Sequence, residues 1–184
     1  TTEIYTLSLH DALPIWPGID RPHFGRNMGA MVSEAQRDKA AVMVSDAVAQ
    51  GANVAAGGRK MNQPGAFMEP TVLSNLTPDM KIANEEVFGP VLSVLKFESD
   101  DEAISIANGT PYGLVGGVFT SDLDRATSAA HQIQAGQVFI NEWYAGGVET
   151  PFGGYGKSGY GREKGREALW NYVQTKNIAI KLKG

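Results

Sequence analysis

A chain of 184 residues with 42% hydrophobic and 20% charged residues has the make-up of one folded globular domain. A formal net charge of -4 argues against a nucleic-acid partner, which calls for clustered Lys and Arg, and the absence of cysteine excludes disulfides and thiolate metal sites. His10, His23 and His131 are too scattered for a zinc site, and no apolar run approaches the roughly 18 residues of a membrane span.

Residues 1–15 have no basic start and no small-residue cleavage site, so they are not a secretory signal. Their mixed pattern could pass for a strand, but the reading adopted is a stretch foreign to the rest of the chain. From Met28 the signals become regular. Ser33-Glu34-Ala35-Gln36 matches a capping box, Ala41, Val44 and Val48 follow at helical spacing, and Gly51 ends the helix. A strand near Val54 and another over Thr71–Leu73 bracket a loop with Gly and Pro.

The strongest architectural signal lies between Val91 and Ile140. Val91–Phe97 reads as a strand, and Ser99 to Glu102 as a second capping box opening a helix with Ala103, Ile104 and Ala107 on one face, closed by Gly109. Gly116–Thr120 reads as the next strand. Ser121 or Asp122 caps a helix striped by Leu123, Ala126, Ala130 and Ile133 and stopped at Gly136, and Gln137–Ile140 is the third strand. Strands alternating with helices imply right-handed crossovers and a parallel sheet, an α/β class whose ligands sit beyond the carboxyl ends of strands. Asn141 starts a glycine-rich loop there, running to about Gly161. A helix over about Arg162–Tyr172 comes next, and Gln174–Leu182 reads as an amphipathic strand carrying Ile178 and Ile180 on one face.

The loop imitates two phosphate motifs. Gly154 to Gly159 fits G-x-G-x-x-G, but no strand directly precedes it and no acid lies in Gln174–Leu182. Gly156-Lys157-Ser158 ends like a phosphate loop, but the required first glycine falls on Pro151. A tight packed turn is the better reading of both.

Glu85-Glu86-Val87-Phe88-Gly89-Pro90, together with Ile140-Asn141 and Pro151-Phe152-Gly153-Gly154, resembles the aldehyde dehydrogenase superfamily from about Met28 to Leu182. The resemblance implies an incomplete parallel-sheet catalytic domain of the aldehyde dehydrogenase type with a terminal oligomerisation strand. Residues 1–16 are then a non-family segment, 17–172 the C-terminal part of the catalytic domain, and 173–184 the oligomerisation strand. NAD or NADP is the implied cofactor, with Glu86 on the nicotinamide-ribose hydroxyls and Phe88 beside the nicotinamide ring. Phe152, Trp143 and Tyr144 are implied to lie near the aldehyde tunnel, where aromatic walls exclude water. Glu85 keeps the plainer reading of a solvated acid, and Arg162, Glu163 and Lys164 that of packing at a helix start. His131 reads as a packing or surface residue.

In this family a cysteine thiolate attacks a small-molecule aldehyde, hydride leaves to the nicotinamide, and a glutamate-activated water hydrolyses the thioester. No cysteine is present here, so no catalytic residue is assigned; the nucleophile, the general base and the dinucleotide-binding half are expected to precede this segment in a longer parent. That parent is expected to be cytoplasmic and a homodimer or homotetramer, with neither nucleic-acid nor membrane partner. One departure from the family pattern is Gly156 two residues beyond the paired glycines, where Lys is frequent; Lys157 stands next to it. The alternative is a non-catalytic binding module or pseudoenzyme of the same fold.

Overall fold

The computed structural model of the chain describes residues 3–5, 28–142 and 146–182. Helix α1 spans Glu34–Ala49. Ser33 is extended, and its hydroxyl accepts from the Gln36 backbone N–H at 3.1 Å, as the capping signal requires. Gly51 lies just past the helix at φ 107°, a conformation that side-chain-bearing residues rarely adopt. The buried face is Ala40, Met43, Val44 and Ala47. The expected stripe is therefore rotated, with Ala41 half-buried and Val48 44% exposed. Alanine and valine occur on several faces of this helix, so spacing alone does not choose one; packing into the cluster around Leu73 does.

That cluster covers a first small sheet. Strand β2 (Asn53–Ala56) pairs antiparallel with β3 (Thr71–Ser74), which pairs parallel with β4 (Val91–Ser93). Thr71 and Leu73 are fully buried on one face of β3. The buried Thr71 hydroxyl is satisfied twice, donating to Glu69 O at 2.8 Å and accepting from Gly58 N at 2.9 Å. A single turn, α2 (Lys81–Asn84), supplies Ile82 to the same core.

A second core gathers helices α3 (Asp100–Asn108) and α4 (Leu123–Gln132) around strands β6 (Val115–Phe119) and β7 (Gln137–Ile140), which run parallel. Ser99 caps α3 and Asp122 caps α4, and Ala103, Ile104 and Ala107 are buried as the sequence indicated. On α4 the buried positions are Ala126 and Ala129, with Ile133 just beyond the helix, whereas Leu123 is 72% exposed. The helix also stops at Ile133 rather than reaching Gly136. Arg125 on α4 grips the Asp100 carboxylate at the start of α3, one bond measuring 2.8 Å, and this hydrogen bonding holds the Asp100 carboxyl below its ordinary range.

Three expectations need correction. The parallel sheet is not continuous from β4 through β6 to β7; β4 belongs with β2 and β3. The Val91–Phe97 run stays paired with β3 only as far as the Val94 N–H, which donates to Leu73 O, and an apolar run sets a strand's character but not its neighbour. Between the two cores, β5 (Tyr112–Gly113) pairs antiparallel with β8 (Tyr155–Gly156), an element the sequence did not signal. The helix expected over Arg162–Tyr172 is a 3₁₀ helix over Glu167–Tyr172 with no buried residue, and residues 173–182 form no strand and are exposed throughout. Strand pairing needs a partner, and none of the described residues provides one. At the other end, Glu3–Tyr5 form β1, antiparallel to β6, so the strand reading set aside for the opening residues holds for these three. Among the described residues no helix is long and apolar enough to cross a membrane.

Candidate functional site

The Glu85–Pro90 segment leaves α2 and enters β4, and its residues face alternate environments. Glu85 is exposed, its carboxylate 3.7 Å from Lys81 Nζ, in keeping with a solvated ion pair of small energetic weight. Glu86 is half-buried and Val87, 3% exposed, enters the first core. Phe88 takes the left-handed conformation at φ 52°, and its side chain stands 53% exposed. At Gly89 a Cβ would come within 3.1 Å of both Ala40 Cβ and Met31 Cε, so glycine lets the segment lie close against α1. Pro90 O accepts from Thr71 N at 2.8 Å, joining the segment to the sheet.

Glu86 borders a cleft of about 210 Å³ where the two cores face each other. Ile82, Val87 and Val91 form one wall, and Tyr112, Val115 and Ile133 the other. Ligand pockets run to roughly 300–1,000 Å³, so this space suits one sugar or ring rather than a complete dinucleotide. Glu85 and Glu86 both border this cleft, and a half-buried carboxylate such as Glu86 is suited to accept from vicinal hydroxyls. The residues therefore fit the ribose end of a nicotinamide cofactor. Phe88 and Phe152 are not among the lining residues, so the structure brings neither to the cleft beside Glu86.

The glycine-rich loop is organised by close backbone approaches. A Cβ on Gly136, at the foot of β7, would overlap the Gly153 carbonyl oxygen, and one on Gly154 would strike Ser158. Gln137 Nε2 donates to Pro151 O at 3.0 Å, adding a polar tether at the same place. Arg162 is a packing residue: its guanidinium donates to Gly154 O at 3.0 Å and to Gly161 O at 2.8 Å, and lies 5.4 Å from the Tyr155 ring centroid. Phe152 is half-buried, exchanges both backbone hydrogen bonds with Glu163 at 2.7 Å, and carries Lys164 Nζ 5.6 Å from its ring centroid. Gly154 to Gly159 comprise β8 and a turn, not a strand-to-helix crossing, which supports the packed-turn reading. Trp143 and Tyr144 lie outside the described residues. His131 is exposed on α4.

A family model described as the aldehyde dehydrogenase family matches residues 18–178. The chain belongs to the aldehyde dehydrogenase family. It is 42% identical over 158 residues to aldehyde dehydrogenase, cytosolic 1, of Rattus norvegicus, covering 86% of this chain and 32% of that protein. To betaine aldehyde dehydrogenase of Cereibacter sphaeroides it is 46% identical over 153 residues, covering 83% and 32%. Among solved structures, betaine aldehyde dehydrogenase of Staphylococcus aureus in complex with NAD+ matches with a TM-score of 0.78 and 41% identity, over 82% of this chain and 31% of that one. The chain thus spans about a third of the length of the curated relatives it matches.

Within this aldehyde dehydrogenase segment, one contact lies beyond any sequence pattern. The capping box accounts for the backbone of Gln36 alone. Its side-chain amide crosses from α1 to the Glu86–Phe88 segment, donating to Val87 O at 2.9 Å and Phe88 O at 3.3 Å. Nothing in the local pattern signals this, because its partners lie 51 and 52 residues away.

Proposed function

We propose that these residues are the C-terminal portion of an NAD(P)-dependent aldehyde dehydrogenase that oxidises an aldehyde to a carboxylic acid. The observation that carries the reading is Glu86, half-buried at the rim of a sugar-sized cleft within the family-matched region. Glu86 would hold the nicotinamide-ribose hydroxyls, and Phe88 would flank the nicotinamide ring with its exposed face. The cofactor, when bound, supplies the hydride acceptor. What this segment contributes is orientation and exclusion of water on one side of the site.

Phe152, Trp143 and Tyr144 would border the aldehyde's approach. The nucleophilic cysteine and the general base would come from residues outside these 184, which hold no cysteine. Support for NAD comes from the Staphylococcus aureus relative, solved with NAD+. A relative's cytosolic designation supports a cytoplasmic location.

Glu86→Gln in the complete enzyme tests the site. The amide keeps the volume and loses the charged acceptor, whose hydrogen bonds are worth about 1.5–3 kcal/mol. Cofactor affinity or hydride-transfer rate is expected to fall roughly 10- to 150-fold, with the fold intact by circular dichroism. Unchanged kinetics and affinity would return Glu86 to a solvated surface acid.

For residues 173–184, adjoining a catalytic part at 17–172 and a non-family segment at 1–16, we propose a strand that bridges subunits. Ile178, Ile180 and Leu182 are 74%, 78% and 85% exposed, apolar surface that an added strand would cover. Truncating the complete enzyme after Tyr172 is expected to shift a dimer or tetramer toward smaller species by light scattering; an unchanged mass would remove the strand from the interface.

A further inference from the structure

We infer that Gln36 is a positioning residue, holding the Glu86–Phe88 backbone in the shape that presents both side chains to the cofactor; this rests on the cofactor reading of Glu86 and Phe88. Three observations converge. First, Phe88 sits at φ 52°, a region disfavoured for a bulky aromatic residue, so surrounding contacts must hold it there. Second, the two carbonyls that Gln36 engages belong to Val87 and Phe88, one preceding the strained residue and one its own. The primary amide carries two N–H donors, one for each carbonyl, so a single half-buried side chain fixes the peptide planes on either side of the Phe88 α-carbon. Third, Gln36 is held on its own side. Its backbone N–H is bonded to Ser33 Oγ at 3.1 Å in the first turn of α1, and Gly89 packs that helix against the same segment.

The capping pattern makes the arrangement more specific. In the usual box, the side chain at this position turns back to the N-cap backbone N–H. Here the hydroxyl half forms and the amide half is redirected across the molecule. A local rule is given up where a longer-range contact is made, as happens at sites that serve function. Neither carbonyl needs a glutamine for the helix to form, so the contact acts on the segment, not on α1.

Gln36→Met keeps the side chain's length and removes both donors, and Gln36→Glu keeps its shape while reversing its polarity. In the complete enzyme, two readouts are taken. Hydrogen exchange across residues 85–91 is monitored without cofactor, so that it reports the backbone and not a ligand contact. The KM values for the nicotinamide dinucleotide and for the aldehyde are then measured separately. Both variants are expected to speed exchange at 85–91 and to raise the cofactor KM about tenfold while leaving the aldehyde KM unchanged. Unchanged exchange overturns the inference whatever the kinetics show. Faster exchange with an unchanged cofactor KM, while Glu86→Gln still weakens the cofactor, also overturns it and leaves the cofactor reading standing. If both Glu86→Gln and the Gln36 variants leave the cofactor untouched, the cofactor reading itself fails and the positioning role falls with it.

Discussion

Purified residues 1–184, freed of the expression host's own dehydrogenases, are expected to reduce neither NAD nor NADP with any aldehyde. The reason is chemical: the family reaction requires a thiolate to add to the carbonyl, and the sequence contains no cysteine. Serine, threonine or lysine can serve as nucleophiles elsewhere, but only beside a base that activates them. Ser158, which borders the cleft with Ser93, Thr110 and Tyr112, instead has its Oγ accepting from Gly113 N at 3.1 Å, a packing contact at a turn. The space is also too small: about 210 Å³ holds one end of a dinucleotide and leaves its remainder without a wall. Spectrophotometric assay with a panel of short and long aldehydes is the check. Any turnover that scales with this chain's concentration would sink the reading. Tight cofactor binding without turnover would favour the non-catalytic module.

Gly136→Ala is expected to be the most damaging single substitution in the glycine-rich region. The added methyl would overlap the Gly153 carbonyl oxygen and lie 2.8 Å from the Gly153 carbonyl carbon, and both are backbone atoms that no rotamer change can move. Either β7 or the 151–154 segment must shift, and with it the 3.0 Å bond from Gln137 to Pro151 O. Overpacking typically costs 1–3 kcal/mol, and a clash between two backbones belongs at about 3 kcal/mol. Gly161→Ala is the internal control. It lies in the loop that carries Gly153, nothing stands within 4 Å of its added Cβ, and its φ is outside the left-handed region. That substitution is expected to be neutral or to stabilise by about 0.4–1 kcal/mol through the unfolded chain. Urea unfolding of the two variants separates them; equal midpoints would mean that the Gly136–Gly153 approach does not hold the loop.

The paired glycines after Phe152 are explained by the same geometry. Gly153 faces the Gly161 carbonyl and Arg162, and Gly154 faces Ser158, so the pair lets the loop fold on itself. A sequence pattern resembling a dinucleotide fingerprint is here a steric requirement of a turn.

What the sequence determined by itself was local chemistry. Ser33, Ser99 and Asp122 each accept from a backbone N–H three residues on, because capping needs only a short polar side chain and the first turn of a helix. The strand Gln137–Ile140 and the buried Ala103, Ile104 and Ala107 arise from short-range pattern in the same way. Family membership was equally legible, because Glu85–Pro90 and Pro151–Gly154 are compact motifs whose residue types are tied to one arrangement. What only the tertiary structure decided was which face, which neighbour and which partner. Val48 on α1 fits a helical stripe yet points outward, since periodicity ranks faces only when one is clearly apolar, and Leu123 is exposed at the first residue of α4 although it fits that helix's stripe. The assignment of β4 to the sheet of β2 and β3, and the pairing of β5 with β8, depend on contacts between segments far apart in the chain. The exposed 173–182 segment has a strand's alternation but no described neighbour to bond, and a ladder requires two strands. Gln36 shows the same division within one residue: its backbone obeys the local cap, and its side chain answers to a turn 51 residues away.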